Sequence, residues 1–489
     1  MTGQRFQPPC GKLPRRAFLQ DCGMGFAGLV LAAMNGRADT AGWRPPDGKP
    51  HFAPKARSVI WLFMQGGTSH LESFDPKPVL NKYAGKTIGD TPYKGVLDSP
   101  LVAKGVRQPV PETRKLMLEL MPIQVPFRKY GQMGIEMTDW WPHVGSVVDD
   151  LTFIRSVWTT DNDHGAQYQF HTGRHFLDGL YPSIGSWIHY GLGSLNENLP
   201  QFVVLGEQVG PCCGGSTCSG AAYLGPEHSG VEMSLDPSNP LPFAAPPAGV
   251  SAEEQRREFD FIKKLGQMAQ VRYPEDPGLA ARIKSYELAF RMQTAVPDVF
   301  RFQEEPEHVR KLYGMDQEAT RSFGERCLAA RRMVERGVRF VQVYHGGGQA
   351  SEWDAHSELQ KNHSRLCGQV DQPIAGLIKD LKQRGLLDET IVVWGTEFGR
   401  TPGVEGAKGG RDHHPYGFTI WMAGAGLKPG VIHGATDELG FHAVENRHYV
   451  TDIHATVLHL LGLDAKRLDV PGQQRLEIDH GQAIREILS

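Results

Sequence analysis

Four stretches of this chain set acids, histidines and arginines directly behind runs of apolar, strand-forming residues. In the last, Thr390-Ile391-Val392-Val393-Trp394 runs into Gly395-Thr396-Glu397-Phe398-Gly399-Arg400-Thr401-Pro402, followed by Gly409-Gly410-Arg411-Asp412-His413-His414-Pro415. A carboxylate straight after an apolar strand is costly unless it binds something. Glu397 and His413 are therefore candidate metal ligands, and Arg400 and Arg411 candidate bidentate holders of an anion. Another stretch places Glu352-Trp353-Asp354-Ala355-His356 after Tyr344-His345-Gly346-Gly347-Gly348. Asp354 and His356, two apart in an extended loop, can point at one ion, and carboxylate with imidazole suits zinc, manganese or iron. The plainer reading is a surface loop. Thr159-Thr160-Asp161-Asn162-Asp163-His164-Gly165 leads to His171-Thr172-Gly173-Arg174. Acids and an amide beside a histidine suit a hard or borderline metal, with Asp163 and His164 completing the ligand set or serving as general base; a polar loop with a helix cap is the alternative. The earliest stretch is Gln65-Gly66-Gly67-Thr68-Ser69-His70-Leu71-Glu72-Ser73-Phe74-Asp75-Pro76. Its glycines let backbone amides approach an anion, Ser69 and His70 lie within reach, and His70 is a further candidate ligand. A glycine turn capped at Thr68 or Ser69 explains the same residues without a ligand.

The elements that must position these groups alternate. Residues 57–64, 151–157, 201–205, 338–344, 390–395 and 419–423 read as strands, and Leu366 to Leu381 and Thr451 to Leu461 as helices. Residues 206–250 form a Cys/Pro/Gly-rich insertion, and 252–335 read as helical, with apolar residues recurring at Phe259, Ile262, Leu265 and Met268. Alternating strands and helices predict an α/β fold with a mostly parallel central sheet and helices on both faces. In such sheets ligands sit beyond the carboxyl ends of the strands, which is where the four stretches fall. Trp394 and Trp421 lie within apolar runs and read as core, whereas Trp353 reads as core or as a sugar-stacking platform.

Composition narrows the class. The 489 residues carry a formal charge of −3, which leaves no bulk positive charge to hold nucleic acid. Hydrophobic residues at 40% and charged residues at 22% exclude whole-chain disorder. Gly 57 and Pro 34 are many, implying tight turns and long loops. Eleven of the 20 histidines lie beyond residue 340. Residues 1–41 read as a twin-arginine export signal: Arg15-Arg16-Ala17-Phe18-Leu19, a Gly-rich apolar stretch over 23–34 too short to span a bilayer, then small residues around Ala38 to Ala41. The translocase of that route is the partner expected, and a periplasmic or extracellular site the expected location. Residues 42–57 read as a linker and 58–489 as one large domain with no stable membrane span. Five cysteines then remain, and Cys212, Cys213 and Cys218 form either a local disulfide loop or a soft-metal clip.

Taken in order, these runs resemble the alkaline phosphatase superfamily over roughly residues 57–465. More narrowly, the chain resembles an exported, sulfatase-like bacterial family annotated only as a domain of unknown function. The runs that carry this are Gly66 to Pro78, Trp353-Asp354-Ala355-His356, Glu397 to Pro402, Gly410-Arg411-Asp412-His413, Gly434-Ala435-Thr436-Asp437 and Thr451 to Gly462. The resemblance implies hydrolysis of phosphate or sulfate esters with one or two divalent metals on loops after strands. Glu397-Phe398-Gly399 takes the place of the superfamily's Asp-His-Gly, and His413 that of its late ligand. Two departures stand out. Gln65 occupies the position of the strand-end Asp, and Asp163, Gly165 and Gln167 stand where sulfatases carry their nucleophile, Pro and Arg, so no formylglycine is implied.

Two functions follow as expectations. One is a metal-dependent hydrolase of phosphate or sulfate esters of small molecules or glycans. Zn, Mn or Ca would be held by Asp354, His356, Glu397, His413 and His70, with Asp163, His164, Arg400 and Arg411 as catalytic groups. The other is a catalytically silent protein of the same fold that binds anionic or sulfated glycans.

Overall fold

The structure, a computed structural model, describes residues 46–99, 116–208, 210, 213–236, 240, 251–272, 296, 298–347, 351–473 and 475–489. Pro46–Leu468 with Arg475–Ser489 form one compact unit, and every element below belongs to it. The expected export signal lies outside the described residues.

The strands are β1 (Ser58–Met64), β2 (Phe127–Tyr130), β3 (Ile135–Thr138), β4 (Leu151–Trp158), β5 (Phe202–Leu205), β6 (Val231–Met233), β7 (Phe340–His345), β8 (Thr390–Gly395), β9 (Gly399–Arg400), β10 (His413–His414), β11 (Phe418–Gly424), β12 (Val431–His433), β13 (Ala435–Thr436), β14 (Ala443–Glu445) and β15 (His448–Tyr449). Nine of them form one sheet in the order β12-β4-β11-β8-β1-β7-β5-β6, with β15 also on β4. The fold is α/β and the sheet mostly parallel: β11 pairs antiparallel with both β4 and β8, and the other pairings in this sheet are parallel. The segment read as an insertion is thus partly built into the sheet, since β6 forms one edge.

Continuous apolar runs at β1, β7 and β8 are what a strand covered on both faces requires, and every residue of these three is buried. Alternate residues of β1 face opposite layers. Trp61 and Phe63 meet Phe170 and His171 of the helix Ala166–Thr172, and Trp61 also meets His454 of the helix Val450–Leu460. Ile60, Leu62 and Met64 join a core with Leu328 of the helix Glu318–Glu335 and with Leu366 and Ile374 of the helix Leu359–Gln383. Trp353, Trp394 and Trp421 are all buried, so none is a sugar platform. The helix Ala252–Arg272 forms as expected, yet Ile262, Leu265 and Met268 are exposed, Met268 by 70%. Cys218, Cys327 and Cys367 are buried thiols, and Cys212 lies outside the described residues.

Register brings the strand ends level. Met64 pairs with His345 and Phe63 with Gly395, so the chain leaves β1, β7 and β8 side by side at Gln65, Gly346 and Thr396.

Candidate metal centre

Beyond those strand ends, Asp354, His356 and His413 converge. Asp354 Oδ1 lies 2.9 Å from Nε2 of both His356 and His413, and the two Nε2 atoms are 3.1 Å apart. Each ring is turned by a hydrogen bond at its far nitrogen. His413 Nδ1 donates to the Asn162 carbonyl at 2.7 Å, and His356 Nδ1 to the Glu405 carboxylate. A neutral imidazole that gives its proton at Nδ1 presents a lone pair at Nε2. Both lone pairs therefore aim at the point faced by Asp354 Oδ1. Ligand atoms around a tetrahedral zinc with ~2.05 Å bonds are separated by about 3.3 Å. The observed spacings are close to that, and the donor set of one carboxylate and two imidazoles fits a borderline divalent ion.

His164 extends the group. Its Nε2 lies 3.1 Å from Asp354 Oδ2 and its Nδ1 3.1 Å from Glu397 Oε1. Burial lowers its pKa, but the bonds to the two carboxylates outweigh burial and raise it to about 9, so His164 carries its proton at neutral pH. Burial also opposes ionisation of Asp354, yet the bond from His164 and the Arg400 guanidinium hold its carboxyl well below the usual range. Burial keeps His413 neutral. Asp163 accepts the His164 amide at 2.9 Å, and its carboxylate, His164 and His413 form a second possible ligand group. Glu397 is fully buried and accepts from the Gly66 amide at 2.8 Å, from His164, and from Gln167 Nε2 at 3.3 Å.

Arg411, Arg400, His70 and the Gly-Gly turn lie otherwise than expected. Arg411 does not face the centre. Its side chain is fully buried, grips the Glu72 carboxylate with Nη2 and Nε at 2.7–3.1 Å, and gives Nη1 to the carbonyls of Thr401 and Pro402. Arg400 is likewise buried. It donates to the carbonyls of Gly66, Gly67 and Arg411, and at 2.7 Å to Asp354 Oδ1, so it orients a ligand and cannot clamp a substrate anion. His70 bonds the Gly440 carbonyl at 2.9 Å and packs on Gly399, away from the cluster. The Gly-Gly turn does not cradle an anion either. The amides of Gly66, Thr68 and Ser69 go to Glu397, Thr396 and His363. Gly66 has φ +119°, and a Cβ there would stand 2.5 Å from the Asp354 nitrogen. Glycine is needed for that close approach.

Sequence reasoning missed Glu405 and the Asn162 carbonyl. Glu405 sits in Gly403-Val404-Glu405-Gly406, a loop with no spacing signal of its own. The strand β9 carries Arg400 opposite His413 on β10, and that pairing is what brings the late loop over the centre.

Fold and site together define an α/β protein with a cluster of divalent-metal type at the carboxyl edge of its sheet. The sequence matches the family model "Protein of unknown function (DUF1501)" over residues 56–488, and the chain belongs to that family. No curated protein matches it. Solved structures with a similar arrangement include the phosphonate monoester hydrolase SpPMH from Silicibacter pomeroyi, at 10% identity and TM-score 0.35, covering 88% of this chain and 76% of that one. The PsFucS1 sulfatase from Pseudoalteromonas sp. is similar at 13% identity and TM-score 0.35, covering 89% and 72%. A protein in the alkaline phosphatase superfamily from Vibrio parahaemolyticus is similar at 10% identity and TM-score 0.35, covering 89% and 74%. At these identities and scores no activity is carried across.

Proposed function

We propose that the chain is an exported, divalent-metal-dependent hydrolase of phosphate or sulfate esters, acting on a small-molecule or glycan ester. The observation that carries this reading is the convergence of Asp354 Oδ1 and the Nε2 atoms of His356 and His413, with both imidazole protons held away by Asn162 and Glu405. Asp354, His356 and His413 would hold the ion. The ion held by these residues would supply Lewis-acid polarisation of an ester oxygen. His164, proton-bearing between two carboxylates, would deliver a proton at a leaving oxygen, an acid's role where the sequence suggested a ligand or a general base. Glu397 fixes His164 and the Gly66 turn; Arg400 fixes Asp354.

The test is metal content of the purified protein and turnover of aryl phosphate and aryl sulfate esters with Zn, Mn or Ca. Bound metal and turnover lost in His413→Ala and Glu397→Ala are expected. No metal and no turnover above those variants would reject the reading. One observation favours the silent glycan-binding alternative: both arginines expected to hold the anionic group are occupied internally. Binding to a sulfated-glycan array that survives His413→Ala would select it. Export is part of the proposal and rests on Arg15-Arg16 and the apolar stretch behind them. Among the described residues no helix is long and apolar enough to cross a membrane. Retention of the Arg15→Lys/Arg16→Lys variant in the cytoplasm is the expected result of fractionation.

A further inference from the structure

A second histidine pair lies at the sheet edge formed by β4, β12 and β15. His433 ends β12 and pairs in register with Ile154, and His448 opens β15 opposite Val157. Their Nε2 atoms face each other at 2.9 Å. His448 Nδ1 donates to Asp452 Oδ2 at 3.1 Å, and Asp452 is itself fixed by the Gln482 amide at 2.8 Å. With Nδ1 donating to Asp452, the Nε2 of His448 is the nitrogen that faces His433. This is the carboxylate–imidazole arrangement that orients metal-bound histidines. Both rings are largely buried, with His433 8% exposed and the His448 side chain 15%. A cavity of about 750 Å³ opens beside His448, lined also by Asp452, Arg447, His459, Asp464 and Glu486.

We propose that His433 and His448 form a second divalent-cation site, separate from the Asp354 centre, for a nitrogen-preferring ion such as Zn²⁺, Ni²⁺ or Cu²⁺. Two imidazoles select such ions over Mg²⁺ or Ca²⁺, which favour all-oxygen sites. On binding, the Nε2 proton of His433 is exchanged through solvent to its Nδ1, so that both Nε2 atoms face the ion with a lone pair and no net proton is released. The site joins β12 to β15 through one ion, and the helix Val450–Leu460 holds it through Asp452.

The test uses the whole exported chain carrying His356→Ala/His413→Ala, titrated with Zn²⁺ by calorimetry, with circular dichroism to verify the fold. One ion per chain is expected to remain. Adding His448→Gln should weaken it at least tenfold, and Asp452→Asn about tenfold. Cu²⁺ should show coupling to two nitrogens by electron paramagnetic resonance. If the background variant does not fold, the same substitutions are read in the otherwise unaltered chain. Stoichiometry then falls from two to one if the Asp354 centre also binds, or from one to none if it does not, so the two proposals fail separately. No Zn²⁺ binding in the background variant, or affinity unchanged by His448→Gln and His433→Gln, overturns the proposal, leaving a histidine–histidine hydrogen bond.

Discussion

Six histidines outside the metal centre and the His433–His448 pair are fully buried and kept neutral by burial: His70 and His454, with pKa lowered to about 4, and His171, His345, His363 and His414, lowered to about 3. Unfolding returns each to about 6.5. The unfolded chain therefore binds more protons at every pH between these values, and stability rises with pH. The contribution is complete above about pH 6.5 and is lost as pH falls toward 4. At pH 5.5 each unfolded imidazole is about nine-tenths protonated and each buried one neutral, so these histidines take up about 5.5 protons on unfolding. Each histidine then costs about 1.4 kcal/mol, and the six together about 8 kcal/mol, against a total stability on the order of 5–15 kcal/mol. Urea denaturation followed by tryptophan fluorescence from pH 8 to 5 should show a nearly level midpoint down to pH 7 and a steep fall below 6.5. His171→Leu sharpens the test. His171 gives Nδ1 to the Gln167 carbonyl and leaves Nε2 unpaired among Trp61, Phe63 and Tyr344. The variant should remove about one sixth of the slope these histidines contribute. A midpoint that stays level from pH 7.5 to 5.5 refutes the reasoning.

Glu405→Gln keeps the shape of the side chain but removes the charge that orients His356. Divalent-ion affinity of the Asp354 centre should fall about 10–100-fold with little change in melting temperature, measured by calorimetry and thermal scanning. Gly66→Ala forces a side chain into positive φ and against the Asp354 amide. A loss of roughly 1–3 kcal/mol from strain alone, read by urea denaturation, should come with loss of metal binding.

The strands were legible because a sheet covered on both faces writes itself as apolar runs, and β1, β7 and β8 do so without interruption. The polar groups behind them were legible as a set, because carboxylates and imidazoles are unfavourable at buried strand ends without a partner. Their division of labour was not. Arg411 and His413 are two residues apart on one loop, yet one is locked to Glu72, 339 positions earlier, and the other faces Asp354. Residue type alone cannot choose between them, since the partner decides. The same holds for the histidine excess. His171 on its helix and His413 on its loop look equally capable of ligating an ion. What separates them is the distal nitrogen: His413 presents Nε2 to a carboxylate, and His171 buries it among rings. Glu405 had no pattern at all, because a positioning acid needs only to end near a ring nitrogen.

The buried Arg411–Glu72 pair allows stability and site geometry to be tested apart. Loops leaving parallel strands have no ladder to hold them, and here Arg411 ties three together: the Glu72 carboxylate, the carbonyls of Thr401 and Pro402, and those of Met121 and Pro122. Arg411→Met leaves the fully buried Glu72 charge with only the short bond from Ser69 and should cost roughly 3–5 kcal/mol. Replacing both partners, Glu72→Leu with Arg411→Met, removes the stranded charge. Buried pairs exchanged for apolar residues of similar volume are often neutral in stability, so the double variant should recover most of the melting temperature lost by the single one. It should not recover metal binding. The carbonyls of Thr401 and Pro402 would lack their donor, and β10, which carries His413 against β9, would lose the register that places Nε2 within 2.9 Å of Asp354. Recovery of both stability and ion affinity in the double variant would mean that Arg411 only neutralises Glu72. Recovery of stability alone would mean that it holds the late loop over the centre.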